Sequence, residues 1–157
     1  MNHPSRISKS KQRKLATQFY ERLVAHDIAH CKRLIRKGAP MDLECGVYPD
    51  ALHFALRYTL YDLADFMVEH GTPLDTRGVQ NETPLHIACM HKQAALGLKM
   101  VERGARLDIA DAEGNMPLHY AAAFDTGLSM AMVERKAPLV AYNNDHETPL
   151  HIAYAHS

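Results

Sequence analysis

Apolar residues along the chain fall into two short blocks that alternate with a constant spacing. The first block reads Thr-Pro-Leu-His-Ile-Ala at residues 83–88. Three related copies stand at residues 50–55, 116–121 and 148–153, so that successive histidines are 33, 33 and 32 residues apart. Thr83 can cap a helix, and proline at the next position suits a first helical turn, where its missing N–H costs nothing. The first block therefore predicts the start of a helix.

The second block keeps step with the first and predicts the end of another helix. It reads Phe-Met-Val-Glu-His-Gly at residues 66–71, with related copies at residues 34–38, 99–104 and 131–136. Gly38, Gly71 and Gly104 follow Lys, His and Arg, which places a cation in the last turn and a residue suited to the left-handed conformation beyond it. Because the apolar positions are small or aliphatic, each helix pair needs its neighbours stacked on it to build a core.

These residues resemble the ankyrin repeat, in which Thr-Pro-Leu-His opens one helix and a glycine closes the next. The resemblance covers about residues 15 to 155 and implies an all-α solenoid of stacked helix-turn-helix units joined by hairpin-like loops, called fingers below. It implies a single repeat domain over residues 15–157, and the basic composition of residues 1–14 predicts a flexible arm before it. Within the domain we expect an N-terminal cap repeat, three complete repeats and a half repeat, at residues 15–42, 43–75, 76–108, 109–140 and 141–157.

The repeat that spans residues 109–140 departs from the pattern in three ways. Met116 replaces the capping threonine, the turn near residues 124–127 is one residue short, and Lys136 stands where a closing glycine is expected. We therefore predict that this is the weakest complete repeat. The half repeat after it has one helix, whose apolar face is covered by a local rearrangement, by a subunit, by a ligand protein or by nothing.

Charge divides the chain into a basic beginning and an acidic remainder. Residues 1–14 hold five Lys and Arg and no acid, whereas the rest holds 13 Lys and Arg against 18 Asp and Glu, a formal net charge of −5. Acidic character disfavours a nucleic-acid surface on the body, because phosphates need clustered cations. The three cysteines have no paired spacing, which favours a reducing compartment, and no apolar stretch is long enough for a membrane span. We expect a cytoplasmic protein with no membrane partner.

Eleven histidines raise the question of a metal site. The resemblance implies that His53, His86, His119 and His151 bond the loop backbone of their own or the adjacent repeat. Being one repeat apart, roughly 10 Å, they are too distant to share an ion. No phosphate-binding loop, carboxylate pair or nucleophile with a supporting base stands out, so we predict no cofactor, no metal and no enzymatic activity.

The resemblance also implies which residues are free to bind a partner. They are finger residues just before the first block and residues four and five positions after its histidine. The candidates are Val47, Arg57, Tyr58, Arg77, Val79, Gln80, Glu82, Met90, His91, Glu113, Asn115, Phe124, Tyr142, Asn144, Asp145 and Glu147. Tyr58, Met90 and Phe124 hold equivalent or adjacent positions in successive repeats, which predicts an apolar stripe on the concave face with acids beside it.

The sequence thus favours a protein-binding module, with an adaptor, inhibitor or immunity-type role, that holds a partner with a basic and partly apolar surface. The alternative is a nucleic-acid-associated regulator that uses the basic arm at residues 1–14.

Overall fold

The computed structural model describes residues 8–156, and these residues form helices joined by turns and fingers. The helices are α1 (Lys9–Val24), α2 (Ile28–Arg36), α3 (Ala51–Arg57), α4 (Tyr61–Glu69), α5 (Pro84–Met90), α6 (Ala94–Glu102), α7 (Pro117–Ala122), α8 (Thr126–Glu134) and α9 (Pro149–Ala155). Within the described residues the extended pairing is limited to one isolated bridge between Cys45 and Tyr48. The predicted all-α solenoid of helix-turn-helix units is confirmed.

The helices α3, α5, α7 and α9, the first of their repeats, begin where the sequence predicts. Proline is the first residue of α5, α7 and α9. The N–H of Thr83 donates to Nδ1 of His86 at 3.1 Å, and Thr148 and His151 repeat this contact at 3.0 Å. In α3, Asp50 takes the place of threonine, and its Oδ1 accepts the N–H of His53 at 2.8 Å. The start of each helix is thus fixed by a side chain of the first block.

The second helices end at a left-handed residue. Gly104 has a φ of +89°, and the equivalent position in the next repeat is Lys136, with a φ of +64°. Left-handed residues also separate the two helices within three repeats, at His26, Thr59 and Lys92. The shortened turn between α7 and α8 contains none, which agrees with the deletion seen in the sequence.

Successive repeats stack through two rows of helices. The first helices α3, α5, α7 and α9 contact one another in order, and the second helices α2, α4, α6 and α8 form a parallel row. Between the rows lies a continuous apolar core that includes Leu63, Met67, Leu85, Met100 and Leu118, each less than 3% exposed. Full burial of such side chains stabilises the fold by about 1.5–3 kcal/mol each.

The expected flexible arm at residues 1–14 is wrong for Lys9 to Lys14, which belong to α1. The helix is capped by the Ser8 hydroxyl, which accepts the N–H of Lys11 at 3.4 Å. Its buried face is made by Leu15, Phe19 and Leu23, and the basic residues occupy the solvent side of its first turns. The remainder of the expected arm, residues 1–7, lies outside the described residues. No helix within residues 8–156 is long and apolar enough to span a membrane.

Candidate functional site

The motif histidines connect each repeat to the finger of the next. Nε2 of His53 donates to the carbonyl oxygen of Glu82 at 3.2 Å, and Nε2 of His86 donates to that of Asn115 at 3.0 Å. His119 lies between two carbonyl oxygens, those of Ala141 at 3.1 Å and Glu147 at 3.2 Å. The predicted structural role is confirmed for these three histidines. In the described part of the chain no three His, Cys, Asp or Glu residues are placed to hold a metal ion.

In each of two fingers, a single side-chain oxygen accepts two backbone N–H groups. Oδ1 of Asp111 accepts the N–H groups of Glu113 and Asn115, at 3.0 and 2.9 Å. In the next finger Oδ1 of Asn143 does the same for Asp145 and Glu147, at 3.0 and 2.9 Å. A single side chain therefore fixes the backbone of each turn and sets the positions of the residues at its tip.

In the finger of residues 76–82 a different side chain accepts the backbone N–H groups. The position of Asp111 is taken by Gly78, and Glu82 supplies the acceptor, with Oε2 receiving the N–H of Gln80 at 2.8 Å. Glu82 also receives a hydrogen bond from Arg57 and is only 4% exposed. Burial alone would raise the pKa of Glu82, but its hydrogen bonds, chiefly that from Arg57, hold it below the ordinary value. The expectation that the Glu82 side chain is free of structural contacts is wrong, and its contact with a partner stays a prediction.

A groove of about 390 Å³ runs beside the last two fingers and is called the Tyr120 groove. Five of the predicted partner-binding residues line it, namely Met90, Asn115, Phe124, Asp145 and Glu147. Tyr120, Lys92, Ile152 and His156 complete much of its wall. The groove therefore gathers apolar side chains from the ends of α5 and α7 against polar side chains of a finger.

The Tyr120 hydroxyl is locked in place within this groove. It donates to Oδ2 of Asp111 at 2.6 Å and accepts from Nδ2 of Asn115 at 3.2 Å. Burial and the hydrogen bond to Asp111 raise the pKa of Tyr120, so the ring remains neutral. Asn115 is 9% exposed, and its Oδ1 accepts a hydrogen bond from Nδ2 of Asn143 at 2.9 Å. Its side chain is therefore not free of structural contacts as expected, and its contact with a partner stays a prediction.

The electrostatic character of the Tyr120 groove comes from free carboxylates. Asp145 and Glu147 are exposed, and no ion pair engages either of them within residues 8–156. Glu113 is exposed in the preceding finger, outside the groove lining, and its Oε2 accepts a hydrogen bond from Nδ2 of Asn115 at 3.5 Å. The lining also contains Lys92 and the two histidines His119 and His156. An aromatic and thioether wall edged by unpaired carboxylates suits a cationic side chain with an apolar stem.

A second groove of about 290 Å³, the Val79 groove, lies between the two preceding fingers. It is lined by the predicted residues Val47, Arg57, Val79, Gln80 and Glu82. Val47 and Val79 are 73% and 81% exposed at the finger tips. The guanidinium of Arg57 and the carboxylate of Glu82 are paired with each other. The Val79 groove therefore offers a partner the exposed valines of two fingers and little free charge.

The remaining predicted residues line neither groove. Tyr58 belongs to an aromatic cluster with Phe54, Tyr48 and His26, with ring centroids 4.4 to 6.0 Å away. The other five are dispersed. His91 is hydrogen-bonded to Tyr61, and Arg77 and Asn144 donate hydrogen bonds to finger residues. Glu113 and Tyr142 are exposed. The expected stripe of Tyr58, Met90 and Phe124 is therefore divided, because only Met90 and Phe124 share a groove.

Comparison with known protein families supports the fold. A family model described as ankyrin repeats (many copies) matches residues 67–121. The matched segment runs from the end of α4 through α7 and includes Met90 and Tyr120 of the Tyr120 groove. No curated protein matches the chain.

Proposed function

The chain is an ankyrin-repeat protein, and from that premise we propose that its Tyr120 groove binds another protein. Ankyrin repeats are generally protein-protein interaction modules and are typically non-enzymatic. The observation that supports this groove over the rest of the surface is the combination of an apolar wall, made by Met90 and Phe124, with the unpaired carboxylates of Asp145 and Glu147.

The proposed partner has a basic and partly apolar surface. Unpaired carboxylates at a rim attract and orient a cationic partner, while the aromatic wall provides the buried area that holds it. Fixed finger geometry favours such binding, because Asp111 and Asn143 hold the carboxylate-bearing turns before the partner arrives. We propose that the protein acts by occupying its target, as an adaptor, inhibitor or immunity-type protein, without chemistry of its own.

A cytoplasmic location is part of the proposal. Cys31, Cys45 and Cys89 are all free and buried, as expected for a protein that folds in a reducing compartment.

Affinity capture tests the proposed site. The immobilised chain is exposed to a lysate, and the retained proteins are compared by mass spectrometry for the natural chain, Phe124→Ala and Asp145→Asn/Glu147→Gln. A partly buried aromatic anchor contributes about 1–2 kcal/mol or more to an interface, so Phe124→Ala should lower retention roughly tenfold. The charge variant should deplete basic proteins selectively, because it removes the carboxylates that attract them.

The matched control is Glu102→Gln/Glu134→Gln, which removes two exposed carboxylates at the ends of α6 and α8. Circular dichroism verifies that every variant is folded. If the control depletes the same proteins as the groove variants, or if all four chains retain the same set, the Tyr120 groove is not the binding site.

A further inference from the structure

Positive and negative charges lie in different parts of the helix stack. Residues 8–40, which form α1 and α2, contain nine Lys and Arg against two acids, a formal net charge of +7. Residues 41–156 contain eight Lys and Arg against 16 acids, a formal net charge of −8. One helical hairpin at the beginning of the stack is therefore cationic, and the rest of the described chain is anionic. We call the solvent side of this hairpin the basic cap.

Most cations of the basic cap have no acidic partner. Lys9, Lys11, Arg13, Lys14, Arg33 and Lys37 are exposed, and within the described residues none of them forms an ion pair. Arg22 lies 3.7 Å from Asp27, and its side chain is 50% exposed. Lys32 is also paired, since its Nζ lies 2.7 Å from Oδ2 of Asp62. The cap thus presents unneutralised positive charge to solvent.

Three cations of the basic cap share one line on α1. Lys11, Lys14 and Arg22 stand at spacings of three and eight residues, with Gln18 between them, so they follow one helix face. All three side chains are exposed, whereas Leu15, Phe19 and Leu23 of the same helix are buried. With a rise of about 1.5 Å per residue, the line is about 16 Å long, comparable to the spacing of five phosphates along one nucleic-acid strand at about 3.4 Å each.

Helix stability does not account for these charges. The first turn of α1 contains Lys9 and Lys11 and no acid. Cations at a helix N-terminus oppose the helix dipole and weaken the helix, whereas acids there would strengthen it. A folding advantage therefore predicts the opposite sign, and the pattern favours recognition of an anion instead.

We propose that the basic cap binds the phosphodiester backbone of a nucleic acid without sequence preference, a function separate from that of the Tyr120 groove. The apolar face of α1 is buried in the core, so the helix has no face with which to enter a membrane. Among the described cap residues, the exposed large apolar side chains are Tyr20 and Val24, which is too little for the apolar centre of a protein interface. Clustered cations on a polar surface are the footprint of phosphate binding.

Fluorescence anisotropy with a labelled duplex of about 20 base pairs tests the proposal across salt concentrations of about 50 to 200 mM. The natural chain should bind with a dissociation constant on the order of 10⁻⁴ to 10⁻⁶ M, and affinity should fall steeply with salt. Each phosphate contact contributes about 0.9 to the slope of log K against log salt, so Lys11→Gln/Lys14→Gln/Arg22→Gln should reduce the slope by about 2.7. The control Arg77→Gln/Arg135→Gln/Lys136→Gln removes the same charge from the body and should leave the slope unchanged.

A second variant separates binding from folding. Lys9→Glu/Lys11→Glu should hold or raise the melting temperature, because it corrects the dipole of α1, yet it should weaken duplex binding at least tenfold. Equal losses in cap and control variants would overturn the proposal. So would tighter binding to vesicles containing phosphatidylserine or to poly-L-glutamate than to the duplex. Salt-sensitive self-association in sedimentation, abolished by the cap variant and without duplex binding, would instead identify a second copy as the occupant.

Discussion

Nε2 of His86 donates a hydrogen bond to the carbonyl oxygen of Asn115, at 3.0 Å and across 29 residues of chain. Nδ1 of the same ring accepts the N–H of Thr83, at 3.1 Å. Both bonds can exist only when the imidazole is neutral and carries its proton on Nε2. A single ring in one protonation state thus joins the start of α5 to the finger of the following repeat.

This arrangement predicts that the protein loses stability as the pH falls from about 7.5 to 5.5. Burial lowers the pKa of His86 below its ordinary value of 6.5, and burial also lowers the pKa of His91. In this window the unfolded chain binds protons that the folded chain does not, so the free energy of unfolding decreases with acid. Urea denaturation at several pH values measures the effect.

Replacing His86 measures how much of this pH dependence comes from its imidazole ring. His86→Gln should lower stability at neutral pH and make its pH dependence shallower. The exposed His70→Gln should leave the dependence as it is. A His86→Gln chain with the full pH dependence of the natural protein would contradict the assignment.

The finger of residues 76–82 predicts a compensating pair of substitutions. A Cβ atom at Gly78 would lie 2.6 Å from the Glu82 carboxyl group, so Gly78→Asp should destabilise the protein by roughly 1–3 kcal/mol. Gly78→Asp/Glu82→Asn recreates the pair Asp111 and Asn115 of the next finger and should recover much of the loss. Chemical denaturation of the four chains gives the coupling energy, expected at about 1 kcal/mol or more. Additive effects would show that the two residues act independently.

Lys136→Gly should stabilise the protein by about 1 kcal/mol. Lys136 adopts a φ of +64°, a conformation that costs a residue with a Cβ atom and costs glycine little. Its hydrogen bonds, from N–H of Lys136 to Val133 and of Ala137 to Met132, match those at Gly104, so only the side chain differs. Thermal denaturation provides the measurement. Arg135→Gly, at a φ of −93°, is the control and should not stabilise.

The three thiols should resist modification in the folded protein. Burial raises the pKa of Cys31 and Cys89 to about 12 and that of Cys45 to about 11, so little reactive thiolate exists near pH 8. A disulfide reagent such as dithionitrobenzoate should label them only after denaturant is added. Ser10→Cys, at an exposed position on α1, is expected to react at once. Rapid labelling of a native cysteine would reveal local opening of its repeat.

The repeated blocks predict where the first helix of a complete repeat begins and where the second helix ends, because threonine, proline and glycine act on the backbone next to them. The site was less predictable. Tyr120 occupies a position filled by Ile87 and Ile152 in related copies, so it looks like a core residue. Its polar role depends on Asp111, nine residues earlier, which only the folded finger brings within 2.6 Å.

Two errors have the same physical origin. Glu82 and Asn115 stand at finger positions that are exposed in the general pattern, but here their side chains satisfy neighbouring polar groups and become buried. In the same way, Lys9 to Lys14 lack an apolar stripe of their own, so their place in α1 is decided by Leu15, Phe19 and Leu23 further along the helix. Local composition does not reveal a contact that another segment provides.

The opposite charges of residues 8–40 and 41–156 give this formally neutral chain a large electric dipole moment. A molecule of this kind rotates as a charged body approaches, and it turns its first helical hairpin toward an anion and its later repeats toward a cation. The torque acts over roughly 8–10 Å at physiological ionic strength. The order of the repeats therefore orients the protein as it meets a charged partner. Rising salt should slow association of anions with the first hairpin and of cations with the later repeats.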